Sequence, residues 1–279
     1  MHGTTACRRR IIALLWVALT AACDAPLEWG HVKPLAGGTT AGRQLVAGPP
    51  AVVMLADAPR PSIDFPPGAC PASAAFAAAG VARFAAWWAI GVDSGASLVV
   101  ARSRNAGREW EPAVVADSRD RSASGCDVPP PSITADSTNG YVHVAYFLRS
   151  PEGSGGGIWF THSMDRGRSW HAPVAVIFGE NPARTAVASL GDTVVVAYED
   201  PSGGPRRIGI AISRTMGHIF EERLPVTGTE GVATDPLLLL RPGAIAVAWT
   251  SRRGGGDANS SSTSAALVRW GLIHPKAHQ

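Results

Sequence analysis

The apolar positions of this chain fall into short runs separated by turn-forming residues, and the arrangement recurs. Ile158-Trp159-Phe160-Thr161-His162 and Pro173-Val174-Ala175-Val176-Ile177 flank the polar stretch Ser163-Met164-Asp165-Arg166-Gly167-Arg168-Ser169-Trp170. Short runs rich in β-branched and aromatic residues predict strands, and the stretch between them predicts a tight turn. Gly167 supplies the positive φ that such a turn needs. Ser163 and Asp165 can bond the turn's own amides, and Trp170 folds over the hairpin as an apolar plug. Ser103-Arg104-Asn105-Ala106-Gly107-Arg108-Glu109-Trp110 repeats the construction with Asn105 in the Asp165 position. A worn copy, Ser213-Arg214-Thr215-Met216-Gly217-His218-Ile219-Phe220, carries Thr215 there. The copies start 60 and 50 residues apart.

These turns sit inside a larger unit. Each unit opens near a proline (Pro71, Pro131, Pro182, Pro236) and continues with a strand, a turn and a second strand ending in Ala plus an aromatic. Those pairs are Ala86-Trp87, Ala145-Tyr146, Ala197-Tyr198 and Ala248-Trp249. A polar, Gly-rich loop and a third strand follow: Ser97–Arg102, Ile158–His162, Ile208–Ile212 and Ala265–Trp270. In the first three units the turn motif and a fourth strand complete the pattern. Four strands per ~50 residues, repeated four times, predict an all-β fold of β-propeller type with four-stranded antiparallel blades. The count is four, or five if residues 24–57 form more than one strand. The fourth unit lacks its outer strand, and Pro50–Asp57, which resembles Pro112–Asp117, is the expected closing strand.

Composition agrees with many short strands: 17% of residues are charged, and the 279 residues include 31 Gly and 22 Pro. The net charge of +3 and the lack of any run of five like charges give no sign of a nucleic-acid partner. The N-terminus reads as a targeting segment, with Arg8-Arg9-Arg10 before the apolar run Ile11–Leu19 and then Thr20-Ala21-Ala22-Cys23. It resembles a bacterial lipoprotein signal with Cys23 as the lipidated residue, though Thr20 departs from the usual aliphatic residue. An ordinary cleaved secretion signal also fits, and the Arg-Arg-x-Ile-Ile order fits a twin-arginine signal. The expected domains are a signal peptide over 1–22, a lipidated Cys23 with flexible tether over 23–48 that holds one strand near Gln44–Ala47, the propeller over 49–275 and a tail over 276–279. The chain is then exported and held at a membrane by its lipid. Cys70 and Cys126 remain, each just before the first strand of consecutive units. In an exported protein they favour a disulfide over two buried thiols.

The segment 163–170, with the copies at 103 and 213, resembles the Asp-box of the sialidase and BNR-repeat superfamily over roughly residues 70–275. The motif residues are Ser103, Asn105, Gly107, Trp110, Ser163, Asp165, Gly167, Trp170, Ser213, Gly217 and Phe220. The resemblance implies a turn-locking role with no chemistry, on the face away from the functional site. Loops after the second and fourth strands lie on the other face: Gly91–Ala96, Phe147–Gly157, Glu199–Arg207 and Thr250–Ser264 among them. They bring Arg149, Arg206, Arg207, Arg252 and Arg253 as candidate ligand-binding residues. Arg119, Arg121, Asp127, Glu230 and Asp235 come from the fourth-strand loops. Converging arginines can hold a carboxylate in bidentate fashion, as sialidases hold an acidic sugar; solvated charge paired with Asp200 and Asp257 is the plainer alternative.

Sialidase catalysis requires a tyrosine nucleophile beside a glutamate. Tyr146 and Tyr198 occupy the repeated aromatic position and read as core. Tyr198 and Glu199, adjacent on a strand, point to opposite faces. Arg60-Pro61-Ser62-Ile63-Asp64 is a loose echo of the family's Arg-Ile-Pro motif. Catalytic residues are therefore not assigned. The eight histidines show no metal-ligand spacing, and His274 and His278 fall in the expected tail, so neither metal nor cofactor is expected. The Gly clusters at 153–157 and 254–256 lack the context of phosphate loops, and no Gly-x-Ser-x-Gly occurs. The reading is an exported, tethered propeller that binds a glycan or envelope component. A sialidase-like exo-glycosidase and a scaffold for protein assembly are the rivals.

Overall fold

The structure is a computed structural model that describes residues 26–48, 52–91, 95–120, 125–149, 156–253 and 263–274. Its first strands are β1 (Leu27–Trp29), β2 (Lys33–Pro34), β3 (Arg43–Gly48) and β4 (Val52–Asp57). Three four-stranded antiparallel blades follow. The first is β5 (Ala75–Ala79), β6 (Ala82–Ile90), β7 (Ala96–Ser103) and β8 (Val114–Asp120). The second is β9 (Ser132–Ala135), β10 (Val142–Leu148), β11 (Gly157–Ser163) and β12 (Val174–Phe178). The third is β13 (Thr185–Leu190), β14 (Thr193–Glu199), β15 (Ile208–Ser213) and β16 (Glu222–Pro225). The fourth combines β17 (Val232–Arg241), β18 (Ala244–Arg253) and β19 (Thr263–Ile273) with β1 and β2, which both pair with β19. β3 and β4 form a separate two-stranded hairpin, the fifth sheet of the ring. The innermost strands β3, β5, β9, β13 and β17 together line a central cavity of about 460 Å³.

The Ala–aromatic pairs explain why the blades stack. Neighbouring residues of a strand face opposite sides of its sheet. Tyr146, Tyr198 and Trp249 face the preceding blade, while Ala86, Ala145, Ala197 and Ala248 face the following one. Ala86 and Tyr146 thus share one inter-blade core, Ala145 and Tyr198 the next, and Ala197 and Trp249 the third. Each interface sets a small residue against a large ring, so adjacent sheets pack closely without a void. Trp87 has no preceding full blade and packs on Ile63 and Phe65, with the Phe65 ring edge-on at 5.3 Å.

The turn motifs close the third and fourth strands of the first three blades. In each, the serine Oγ accepts the amide of the glycine four residues on: Gly107 at 3.0 Å, Gly167 at 2.7 Å and Gly217 at 3.0 Å. Gly167 has φ 80°, and Arg166 before it is also left-handed at φ 62°. Asp165 accepts the amides of Arg168 and Ser169 and the hydroxyls of Ser163 and Ser169. Burial alone would raise its pKa, but these hydrogen bonds outweigh it and hold the carboxyl far below its ordinary value. Asn105 and Thr215 each accept fewer bonds, from Glu109 and Ile219 respectively among the amides. The three aromatics cover their hairpins, Trp110 with its Nε1 donating to the Ser62 carbonyl and Phe220 buried edge-on against Phe160.

Cys70 and Cys126 form a disulfide, with Cα atoms 5.4 Å apart, that ties the approach to the first blade to the approach to the second. Three expectations need correction. Residues 26–48 are not a flexible tether, because they carry β1, β2 and β3; Leu27 is buried beside Ile273, its register partner. Val52–Asp57 does not close the last blade. It pairs with Arg43–Gly48 immediately before it, a local hairpin that needs little loop closure, and β1 supplies the edge of the last blade instead. His274 is not in a tail: its amide donates to the Pro26 carbonyl and its carbonyl accepts from Arg214. Cys23 and the 276–279 tail lie outside the described residues.

Candidate functional site

Loops leaving β10 and β14, and the segment entering β13, emerge on the face opposite the turn motifs. They bring Arg149, Arg206 and Arg184 to one depression of about 230 Å³, lined also by Asp127, Val128 and the prolines 129, 130 and 182. Arg184 also lines the central cavity, so the depression lies at that cavity's mouth. The Arg184 and Arg206 side chains are about half exposed, at 50% and 48%.

Each guanidinium is braced from behind. Arg149 donates to the Asp127 carbonyl. Arg206 donates to Glu199 at 2.6 Å, and Arg184 Nε lies 3.2 Å from Asp235. Glu199 is only 1% exposed and accepts three hydrogen bonds. Its Oε2 accepts from Arg206 and the Arg184 amide, and its Oε1 accepts the Asp235 amide at 2.9 Å. Asp235 sits at a bulge in β17 with φ 55°, and its carbonyl accepts the Thr40 hydroxyl, which also bonds Thr250. One buried carboxylate therefore orders two arginines and connects the third and fourth blades, with the hairpin sector joined through Thr40. Pinning of this sort fixes donors in place before a ligand arrives.

A second network lies between the first and second blades. Asp117 is clasped by Arg119 and by the Tyr146 hydroxyl, and Arg119 lies over the Trp159 ring at 4.1 Å. Arg119 is thus spent on holding blades together and is not offered to a ligand. Arg207 lines a different depression with Tyr198, Asp200 and Arg223. Arg252 is exposed near the end of β18, away from the arginine pocket's lining; the Arg253 side chain and Arg121 lie outside the described residues. Of the five arginines singled out in the sequence, the structure brings together Arg149 and Arg206. Arg184 completes the group and had no loop-position signal, since it precedes a first strand.

Tyr146 and Tyr198 are core residues, as their place in the repeat implies. Burial, reinforced by Asp200 and opposed by Arg223, pushes the Tyr198 phenol up to about 12. Burial and then Asp117 raise Tyr146 well above its ordinary value. Neither phenol ionises at neutral pH. Tyr198 faces the second blade while Glu199 faces the arginines, so they do not form a nucleophile pair.

On the other face the structure brings together three histidines that have no regular spacing in the sequence. His162, His171 and His218 each offer a ring nitrogen, all within 4.8 Å of one another. Spacing along the chain hid them, because the third comes from the neighbouring blade. His162 is buried, and its pKa is pushed down to about 3, by burial first and then by His171, His218 and His143. Behind it, fully buried His143 is pushed down to about 4 by burial, against an opposing pull from Asp136.

No protein-family model and no curated protein matches the chain. Among solved structures, the α-L-arabinofuranosidase of Fusarium graminearum in complex with arabinobiose aligns with TM-score 0.50 and 12% identity, covering 76% of this chain and 66% of that one. A protein of unknown function from Dyadobacter fermentans aligns with TM-score 0.48 and 12% identity, covering 89% of this chain and 100% of that one. The intramolecular trans-sialidase of Ruminococcus gnavus in complex with oseltamivir carboxylate gives TM-score 0.46 and 16% identity, covering 67% and 40%. This chain therefore spans less than two thirds of the lengths of the two enzymes. The likeness extends to the β-propeller fold and, at such identities, no further.

Proposed function

We propose that the protein is a non-catalytic binding module whose arginine pocket holds a carboxylate-bearing glycan or envelope component. The observation that carries this reading is the convergence of Arg149, Arg184 and Arg206, from separate loops of adjacent blades, on one small depression. Guanidinium groups bond carboxylates in bidentate fashion, and Arg184 and Arg206 remain about half exposed beside Asp127 in the lining, with donors still open to a ligand carboxylate. Hydrolysis is disfavoured because Asp117 and Glu199 are buried and already accept several hydrogen bonds each, and the buried Tyr146 and Tyr198 are no nucleophiles.

Sialylated and uronic-acid glycans are expected to bind the full chain in preference to their neutral counterparts. Arg149→Ala and Arg184→Ala are each expected to weaken that binding roughly 10- to 100-fold, the worth of one charge-assisted contact. Glycan-array binding followed by titration calorimetry measures this. Equal binding of neutral glycans, or unchanged affinity in both variants, rules the pocket out. Turnover of a fluorogenic sialoside or arabinofuranoside that Arg184→Ala removes would replace the binding reading with an enzymatic one.

Display outside the cytoplasm from a lipid on Cys23 belongs to the same proposal, on the strength of the Arg8–Arg10 and Ile11–Leu19 sequence pattern. Metabolic labelling with palmitate is expected to mark the wild-type chain and leave Cys23→Ala unmarked and soluble. An unlabelled, soluble wild type removes the anchor.

A further inference from the structure

We infer that His162, His171 and His218 form a binding site for a divalent first-row transition-metal ion of the zinc or copper kind, on the face bearing the turn motifs. The three rings come from two blades. His162 is on β11, His171 directly follows Trp170 in the same hairpin, and His218 lies in the turn of the third blade. Their ring centroids are 4.4 Å (162–171), 4.7 Å (162–218) and 5.8 Å (171–218) apart.

The backbones that carry them are fixed by the turn chemistry already described. The His171 amide donates to the His162 carbonyl at 2.9 Å, and the His171 carbonyl accepts the Thr161 hydroxyl at 2.7 Å. The His218 amide donates to the Thr215 carbonyl at 3.1 Å. His218 Nδ1 reaches the same carbonyl at 2.7 Å. As a donor there, Nδ1 carries the proton and Nε2 keeps its electron pair. A second hydrogen bond of this kind orients a metal-bound imidazole and fixes its tautomer.

His162 gives the independent sign that a ligand belongs there. The residue is 3% exposed, and its Nε2 is buried without a hydrogen-bond partner among the described residues. Buried polar nitrogens are almost always satisfied, and the ring that carries this one packs against two other imidazoles that are themselves exposed. A metal ion held among the three rings would give it a partner.

The donor set selects the ion. Three neutral imidazoles with no carboxylate or thiolate among them suit Zn²⁺, Cu²⁺ or Ni²⁺ and give little hold on Ca²⁺ or Mg²⁺, which need oxygen ligands. At metal–nitrogen distances of about 2.0–2.1 Å in a tetrahedron, the nitrogens stand roughly 3.3 Å apart. The 4.8 Å span would close mainly by rotation of the exposed His171 ring, with His218 kept on its bond to the Thr215 carbonyl. The fourth position then opens to solvent, where water would complete the coordination. Such a site would also tie the second blade to the third.

The test uses the full chain purified without a histidine tag and stripped with a chelator. Co²⁺ titration is expected to give the visible absorption of a four-coordinate ion, saturating at one equivalent and displaced by Zn²⁺ but not by Ca²⁺. His218→Ala is expected to weaken binding roughly 100-fold or more, and His171→Ala/His218→Ala to remove the absorption band. Both residues are exposed, so circular dichroism should show the fold kept; His31→Ala should bind as the wild type does. Absence of the band, or a band that persists in the double variant, overturns the proposal. The arginine pocket lies on the opposite face, so failure of either reading leaves the other standing.

Discussion

The Cys70→Ala/Cys126→Ala variant is expected to be less stable than the wild type by about 4 kcal/mol. The bridge joins residues 56 apart in sequence, and the span it closes contains the whole first blade. Cross-linking so long a segment removes much chain entropy from the unfolded state, which sets the size of the effect. For a chain of this size the loss corresponds to a fall in Tm of roughly 8–16 °C. Cys70 is also buried in the core between the first and second blades, so its replacement removes packing as well. Comparing the double variant with reduced wild type separates the two contributions, since only the former lacks the sulfurs. Urea unfolding followed by tryptophan fluorescence measures both. A loss below about 1 kcal/mol would mean that the inter-blade core alone fixes the first blade, and that the disulfide is incidental to stability.

That the bridge was foreseeable illustrates what sequence can carry here. Cys70 and Cys126 occupy equivalent places in successive repeats, and a repeat converts sequence register into spatial neighbourhood. The same logic identified the Ala–aromatic pairs as core and placed Arg149 and Arg206 on one face. It failed where no repeat applied. β1 and β2 have three and two residues, too few for any periodicity, and their partners lie at the far end of the chain, as in Leu27 with Ile273. Val52–Asp57 looked like an outer strand because composition does not distinguish an outer strand from half of a hairpin. Arg184 enters the pocket from before a first strand, a place that carries no loop signal. Glu199 neighbours Tyr198 in sequence, whereas its partners in space are Arg206 and the amides of Arg184 and Asp235. The histidines share no spacing, since proximity across two blades leaves no trace in local pattern.

Glu199→Ala is expected to destabilise the protein by roughly 2–6 kcal/mol, at about 1–3 kcal/mol for each of two backbone amides left without an acceptor. The carboxylate is 1% exposed and satisfies two backbone amides besides Arg206. Removing it leaves those amides without an acceptor in a region closed to water. It also releases the β17 bulge at Asp235, which holds Arg184 and, through Thr40, the hairpin sector. Glu199→Gln keeps one acceptor oxygen but turns an amide donor toward other donors, and an intermediate loss is expected. Arg206 is half exposed, so water can solvate it after the change, and most of the deficit arises from the amides and the cavity. For that reason Glu199→Ala and Arg206→Ala should combine to less than the sum of their separate effects. Urea midpoints for the three variants test this, with unchanged m values as the check that the folded state keeps its extent. Under conditions where the variant remains folded, Glu199→Ala should also weaken binding of carboxylated glycans, because Arg184 and Arg206 lose the group that aims them. A loss of stability under about 1 kcal/mol, with binding intact, would show that the arginines are ordered by something other than this carboxylate.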